Sequence, residues 1–195
     1  MPLESEYQIE PLSPSHDRTA FRSGVLELDE YFHHQAGQDA RRKIAAPFVL
    51  VDAHGSILGY YTLSAYSIRL DALPNVISKR LPRYPLIPAT LLGRLAVSAA
   101  CRGQRLGRFL LMDALHRSWR NTTEVASVGV VVEVLGDAAR SFYLHHEFIP
   151  LLDHPNRLFL TMATIEVPGN VKDKVLYRSV SRSPAGGTPE RDTPE

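Results

Sequence analysis

One stretch limits what this chain can become. Leu91 to Ser98 alternates, with Leu91, Leu95 and Val97 on one side and Arg94, Ala96 and Ser98 on the other, which predicts a strand. Ala99-Ala-Cys-Arg102-Gly-Gln-Arg-Leu-Gly107 follows as a short turn bearing glycine and arginine. An amphipathic helix through Trp119 comes next. Leu106, Phe109, Leu110, Ala114 and Leu115 recur at three- and four-residue spacing, which leaves Arg108, Asp113 and Arg117 for solvent. Such a turn sits at a helix N-terminus, where unpaired N–H groups and the positive end of the helix dipole favour a phosphate. An ordinary strand–turn–helix with a capped start satisfies the same pattern.

The rest of the chain supplies alternating elements. Ser13-Pro14 predicts a helix start within 11–18. Val25 to Ala36, with Val25, Leu28, Tyr31, Phe32 and Gln35 at helical spacing and Asp29-Glu30 facing away, predicts one helix, and Gln38 to Ile44 a second. Pro47–Asp52 and Ile57–Ile68, separated by Ala-His-Gly-Ser, predict a hairpin with long strands. The prolines within 81–88 predict an extended connector. Val125 to Val134 reads as a buried strand, Asp137 as the cap of a helix reaching His146, and Arg157 to Ile165 as a last strand. This order predicts an α/β domain over residues 13–168, a mixed central β-sheet with helices on both faces. Residues 1–12 are expected to be a flexible acidic N-terminus and 177–195 a disordered tail.

Composition narrows the class. With 195 residues, 44% of them apolar, the chain suffices for one domain with a sizeable core. No run approaches the roughly 20 apolar residues of a membrane helix, and the acidic start lacks a secretory pattern, so a cytoplasmic protein without a membrane partner is expected. The single cysteine, Cys101, excludes a disulfide framework and a cysteine-rich metal site, and an inert thiol is expected. Adjacent histidines, His33-His34 and His145-His146, point in different directions on a helix and read as surface or partly packed residues, so no metal is expected. Removing the −3 of residues 1–10 and the −2 of residues 183–195 from the net +1 leaves +6 for residues 11–182. A basic body suits a phosphate-rich partner. Taken alone, Arg41-Arg42-Lys43 reads first as a solvated helix end and second as a patch for nucleic-acid backbone.

Arg102-Gly103-Gln104-Arg105-Leu106-Gly107 after a strand resembles the acyl-CoA pyrophosphate motif of the GNAT-type N-acetyltransferases, with Arg105 in place of a usual glycine. The element order is also that of the GNAT fold, whose central strands splay to admit the cofactor. The resemblance implies acetyl-CoA as co-substrate, bound by Leu95, Ala96 and Val97 and by Arg102, Gly103, Gln104, Arg105, Leu106, Gly107 and Arg108. It implies a backbone N–H of Leu95–Val97 polarising the thioester carbonyl, and Tyr143 in Ala138-Ala-Arg-Ser-Phe-Tyr143 as proton donor to the leaving thiolate. On that reading Phe142 takes the core position beside Tyr143. Glu147 stands at a second position where the family often has glycine. Glu133 reads equally as a base acting through water and as a strand-end carboxylate.

Further blocks extend the match. Phe21-x-x-Gly24 with Leu28-Asp-Glu-Tyr-Phe32, Leu58-Gly-Tyr-Tyr-Thr-Leu-Ser-Ala65, Leu81-Pro-Arg-Tyr-Pro85 and Leu92-Gly-Arg-Leu-Ala-Val97 look like the GNAT toxins of bacterial toxin–antitoxin systems. This resemblance spans roughly residues 15 to 165. It implies acetylation of the α-amine of aminoacyl-tRNA and inhibition of translation. It also implies a ribbon-helix-helix antitoxin, operator DNA bound through that antitoxin, and a homodimer. Arg41, Arg42, Lys43, Lys79, Arg80, Arg83 and Arg94 become candidates for tRNA phosphates. An N-acetyltransferase of a small amine or protein N-terminus, and a catalytically weakened interaction protein, stay open beside it.

Overall fold

The computed structural model describes residues 7–166, so the expected tail lies outside the described residues. Among the described residues seven strands form one sheet: β1 (Tyr7–Pro11), β2 (Ala46–Asp52), β3 (Ile57–Arg69), β4 (Leu86–Val97), β5 (Gly129–Glu133), β6 (Ile149–Pro150) and β7 (Arg157–Thr161). Their order is β1-β2-β3-β4-β5-β7-β6, and every pairing is antiparallel except β4–β5. Helices α1 (Leu26–Glu30) and α2 (Ala36–Arg42) lie on one face, joined through a π-helical turn at Tyr31–Gln35. On the other face lie α4 (Leu106–Asn121), α5 (Gly136–His145) and α6 (Met162–Glu166). A short α3 (Asn75–Ser78) stands between β3 and β4. Helices on both faces of a mixed sheet are what the element order predicts.

The core divides by face. Tyr61, Leu92, Leu110, Leu111, Val130, Val132 and Phe148 pack between the sheet and α4–α5, while Phe21, Tyr31, Phe32 and Tyr60 pack beneath α1–α2. The Phe32 and Tyr60 rings stack with centroids 4.2 Å apart. Apolar burial on both sides is what holds a central sheet of this kind together.

Several local expectations are corrected. Residues 7–11 of the expected flexible N-terminus form edge strand β1, which buries Ile9 and pairs along β2. Residues 12–18 form turns, because the Ser13 N–H and hydroxyl are both drawn to His16 Nδ1 rather than to a helix. The expected last strand stops at Thr161 and turns into α6. Asp29 faces inward and accepts from the Ser23 N–H and hydroxyl at 2.7 and 2.6 Å. Burial pushes that carboxyl up, but the Ser23 and Gly24 hydrogen bonds and His33 outweigh it and hold it below the usual value. Asp113 is buried too. It accepts from the Tyr61 hydroxyl at 2.5 Å and from Arg117 Nε at 2.7 Å, so neither Asp113 nor Arg117 is spent on solvent.

Two irregularities of β4 shape its far end. Thr62 pairs with Arg94 but Leu63 with Leu92, so Gly93 is an extra residue, a β-bulge. The bulge reverses the alternation. Leu91 packs on the α3 side with Ala89, whereas Leu95 and Val97 pack toward α4. The expectation that Leu91 shares a face with Leu95 fails for this reason. Second, β4 pairs with β5 only at Thr90–Leu92 against Val130–Val132. Beyond Leu92 the two strands part, and among the described residues that edge of β4 has no strand beside it.

Candidate active site

The turn after β4 is held from two sides. Ser98 N–H bonds to the Leu58 carbonyl at 2.8 Å, and Ala99 N–H to the Arg22 carbonyl at 2.8 Å. Arg102 Nη2 donates to the Ser23 carbonyl at 2.5 Å. A Cβ at Gly24 (φ +84°) would stand 2.7 Å from that nitrogen, so only glycine admits this contact without a shift. Arg105 precedes α4 in the left-handed region, at φ 61° and ψ 14°. A non-glycine residue there costs about 1 kcal/mol. The first N–H groups of α4 have no partner within the helix.

Turn and helix open onto a cleft of about 650 Å³. Val97, Cys101, Arg102, Gly103, Arg105, Leu106, Gly107 and Arg108 line one side, and Phe142, His145 and His146 of α5 the other. Seven of the residues expected to bind the cofactor thus gather around one opening. Gln104 is exposed and outside the lining, Leu95 is half-buried beneath α4, and Ala96 is buried with the aromatic cluster on the opposite face. Cys101, Phe142, His145 and His146 were missed. The spacing held a usable signal, since positions 142, 145 and 146 share a helix face at i, i+3 and i+4. His146 Nδ1 lies 2.7 Å from the Phe142 carbonyl, and its ring lies 4.6 Å from the Phe142 ring.

The Phe142–Tyr143 pair is reversed from expectation. Phe142 is half-buried and lines the cleft; Tyr143 is 7% exposed within the core. Burial pushes the Tyr143 phenol up, so it holds its proton well past neutrality. The end of α5 fixes this ring. Glu147 adopts φ 67°, Glu147 N–H bonds to the Leu144 carbonyl (3.2 Å), and Phe148 N–H bonds to the Tyr143 carbonyl (3.2 Å). This is a Schellman motif, whose customary apolar contact is here the Tyr143–Phe148 ring pair at 5.2 Å.

The cations separate. Arg41, Arg42 and Lys43 are exposed at the end of α2. Lys79 and Arg83 line a second cleft of about 800 Å³ at the opposite end of β4, together with the exposed Tyr84 and the Arg69–Asp71 ion pair, and exposed Arg80 lies next in sequence. Arg94 is instead laid over the Tyr31 ring, 3.6 Å from its centroid. The Tyr31 hydroxyl donates to Asp39 Oδ2 (3.0 Å), and burial, then that carboxylate, pushes the phenol up to about 12. Glu133 is exposed at the end of β5. Among the described residues no His, Cys, Asp and Glu cluster is placed to hold a metal ion, and no helix is long and apolar enough to cross a membrane.

No protein-family profile matches the chain. A probable toxin TacT of Sinorhizobium fredii (strain NBRC 101917 / NGR234) is 31% identical over 166 residues, 80% of this chain and 92% of that protein. A tRNA-acetylating toxin of Mycobacterium tuberculosis (strain ATCC 25618 / H37Rv) is 31% identical over 151 residues, 77% of this chain and 89% of that one. The chain belongs to the tRNA-acetylating toxin family. Solved toxins of this family share its GNAT-like fold. A tyrosine-to-phenylalanine mutant of KacT superposes with a TM-score of 0.79 at 30% identity, covering 83% of this chain and 98% of that one. AtaT complexed with acetyl-methionyl-tRNAfMet gives 0.78 at 31%, with the same coverage. A tyrosine-to-phenylalanine AtaT bound to the C-terminus of its antitoxin AtaR and to acetyl-CoA gives 0.71 at 27%, covering 84% and 98%.

Proposed function

We propose that this toxin transfers an acetyl group from acetyl-CoA to the α-amine of the amino acid on a charged tRNA, and so blocks translation. The observation that carries the reading is the cationic cleft between α5 and the turn from the end of β4 into α4, in a chain whose toxin relatives include an AtaT bound to acetyl-methionyl-tRNAfMet. The residues fit the cofactor. Arg102, Arg105 and Arg108 surround the first N–H groups of α4, a combination suited to a pyrophosphate. The open edge of β4 beyond Leu92 leaves a slot for an extended chain leading inward.

Acetyl-CoA supplies a thioester carbonyl activated toward amines. Around it, the backbone N–H groups of Leu95 and Val97, on the edge of β4 away from β3, receive the charge that develops on the carbonyl oxygen. Tyr143, kept protonated by burial, gives its proton to the departing thiolate, and the proton that the amine nitrogen sheds on forming the amide passes through water and restores the phenol. The amine of an aminoacyl ester is a weak base and is neutral at pH 7 more often than a lysine, so Glu133 serves as a strand-end carboxylate. Arg41, Arg42 and Lys43, and Lys79, Arg80 and Arg83 at the second cleft, draw in tRNA phosphates. Arg94, stacked on Tyr31, supports the site from within. The setting is the cytoplasm, with a ribbon-helix-helix antitoxin through which operator DNA is reached, and with the toxin as a homodimer.

Incubation with labelled acetyl-CoA and a pool of total charged tRNA tests this. Label on charged but not deacylated tRNA is expected. Label on small amines or protein N-termini alone overturns the substrate assignment, and no cofactor binding overturns the enzyme.

A further inference from the structure

The backbone groups assigned to the carbonyl lie just past the Gly93 bulge, and one side chain holds that bulge. Thr62 of β3 is 2% exposed, and its Oγ1 accepts the Arg94 N–H at 3.1 Å. A bulge leaves its extra residue, here Gly93, unpaired and loosens the ladder beside it. Arg94 keeps its place opposite Thr62, and the threonine hydroxyl, as an acceptor for its N–H, ties the first residue after the bulge to β3. Gly93 leaves space for it, since a Cβ there would stand 3.1 Å from Thr62 Oγ1. The side chain of Arg94 is fixed as well, over the Tyr31 ring.

We propose that Thr62 is a positioning residue for acyl transfer: its hydroxyl locks the Gly93 bulge, so that the N–H groups of Leu95 and Val97, which alternate with that of Ala96, keep their direction toward the opening between β4 and β5. The inference rests on the acetyl-transfer reading above. The bulge decides which way β4 presents itself, because it separates the register of Leu91 from that of Leu95 and Val97. Donors that stabilise a developing oxyanion work only when aimed at its final position. Loosening the lock therefore degrades the rate while the cofactor's phosphate contacts, on the other side of Val97, persist.

Thr62→Val keeps the shape and removes the acceptor; Thr62→Ser keeps the acceptor. Both are compared with the wild type by steady-state acetylation of charged tRNA, CoA titration calorimetry and hydrogen exchange of the peptide over 93–97. Thr62→Val should lower kcat about 10- to 100-fold, leave the CoA Kd within about threefold and speed exchange over 93–97. Thr62→Ser should keep kcat within about threefold of wild type. Gly93→Ala, whose methyl presses on the same hydroxyl, should reproduce the kcat loss and serves if Thr62→Val does not fold. Wild-type kcat in Thr62→Val or Gly93→Ala, or equal loss in the serine and valine variants, overturns the proposal. A wild-type protein that leaves charged tRNA unlabelled while the exchange difference persists overturns the acetyl-transfer reading instead and reduces the lock to a structural one.

Discussion

Of the three non-glycine residues that break the same backbone rule among the described residues, Lys43, Arg105 and Glu147, the last two do so for different ends. Arg105 before α4 and Glu147 after α5 both sit in the left-handed region, at φ 61° and 67°, and both stand where the resembled acetyltransferases usually have glycine. Each substitution of a side chain for hydrogen costs about 1 kcal/mol. Arg105 places its chain in the cleft, so a guanidinium is gained where phosphates are expected. Glu147 is exposed; what its turn secures is the neighbouring Phe148 ring, packed against Tyr143. One turn meets the ligand and the other acts at one remove. Strain alone is thus a poor guide to chemistry, and what the strained residue touches is a better one.

The contrast can be broken experimentally. Phe148→Ala removes the fully buried ring that fixes Tyr143 and should cost about 3–5 kcal/mol of unfolding free energy in urea. Tyr143→Phe should leave the fold and CoA affinity intact and lower kcat about 100-fold or more. The sign of the pH effect follows from burial. The folded phenol titrates above the usual 10.0, so the wild-type kcat profile should show no descending limb from this group below that pH. Arg105→Gly should weaken CoA binding about tenfold by calorimetry while raising stability slightly, since a charge-assisted contact is lost and the strain relieved. Glu147→Gly should raise stability by about 0.5–1 kcal/mol and leave kcat and KM where they were. If Arg105→Gly changes only stability, the two turns are alike and the distinction collapses.

The strand–turn–helix, the hairpin and the alternation of elements were legible because each repeats a local period strongly. The cleft was legible from six contiguous residues. What escaped depended on distant partners. Asp113 reads as a solvent residue until Tyr61, 52 positions away, is seen to donate to it. Phe142 and Tyr143 exchange places because neighbouring residues on a helix differ by about 100°, and only the position of the sheet decides which turns inward. Strand β1 escaped because its acidic neighbours hid a single buried position, Ile9. Gly93, like the spacing of Phe142, His145 and His146, was an overlooked signal, since an isolated glycine within a strand pattern marks a bulge.

The three paired positions between β4 and β5 bind two half-sheets, β1–β4 and β5–β7, into one. The slot and the seam are the same feature viewed twice. A molecule threaded there acts as a stitch across the join, and at a hundredfold excess over its Kd it would add about 2.7 kcal/mol to the cohesion of the whole domain. Filling the slot hardens the protein as well as arming it.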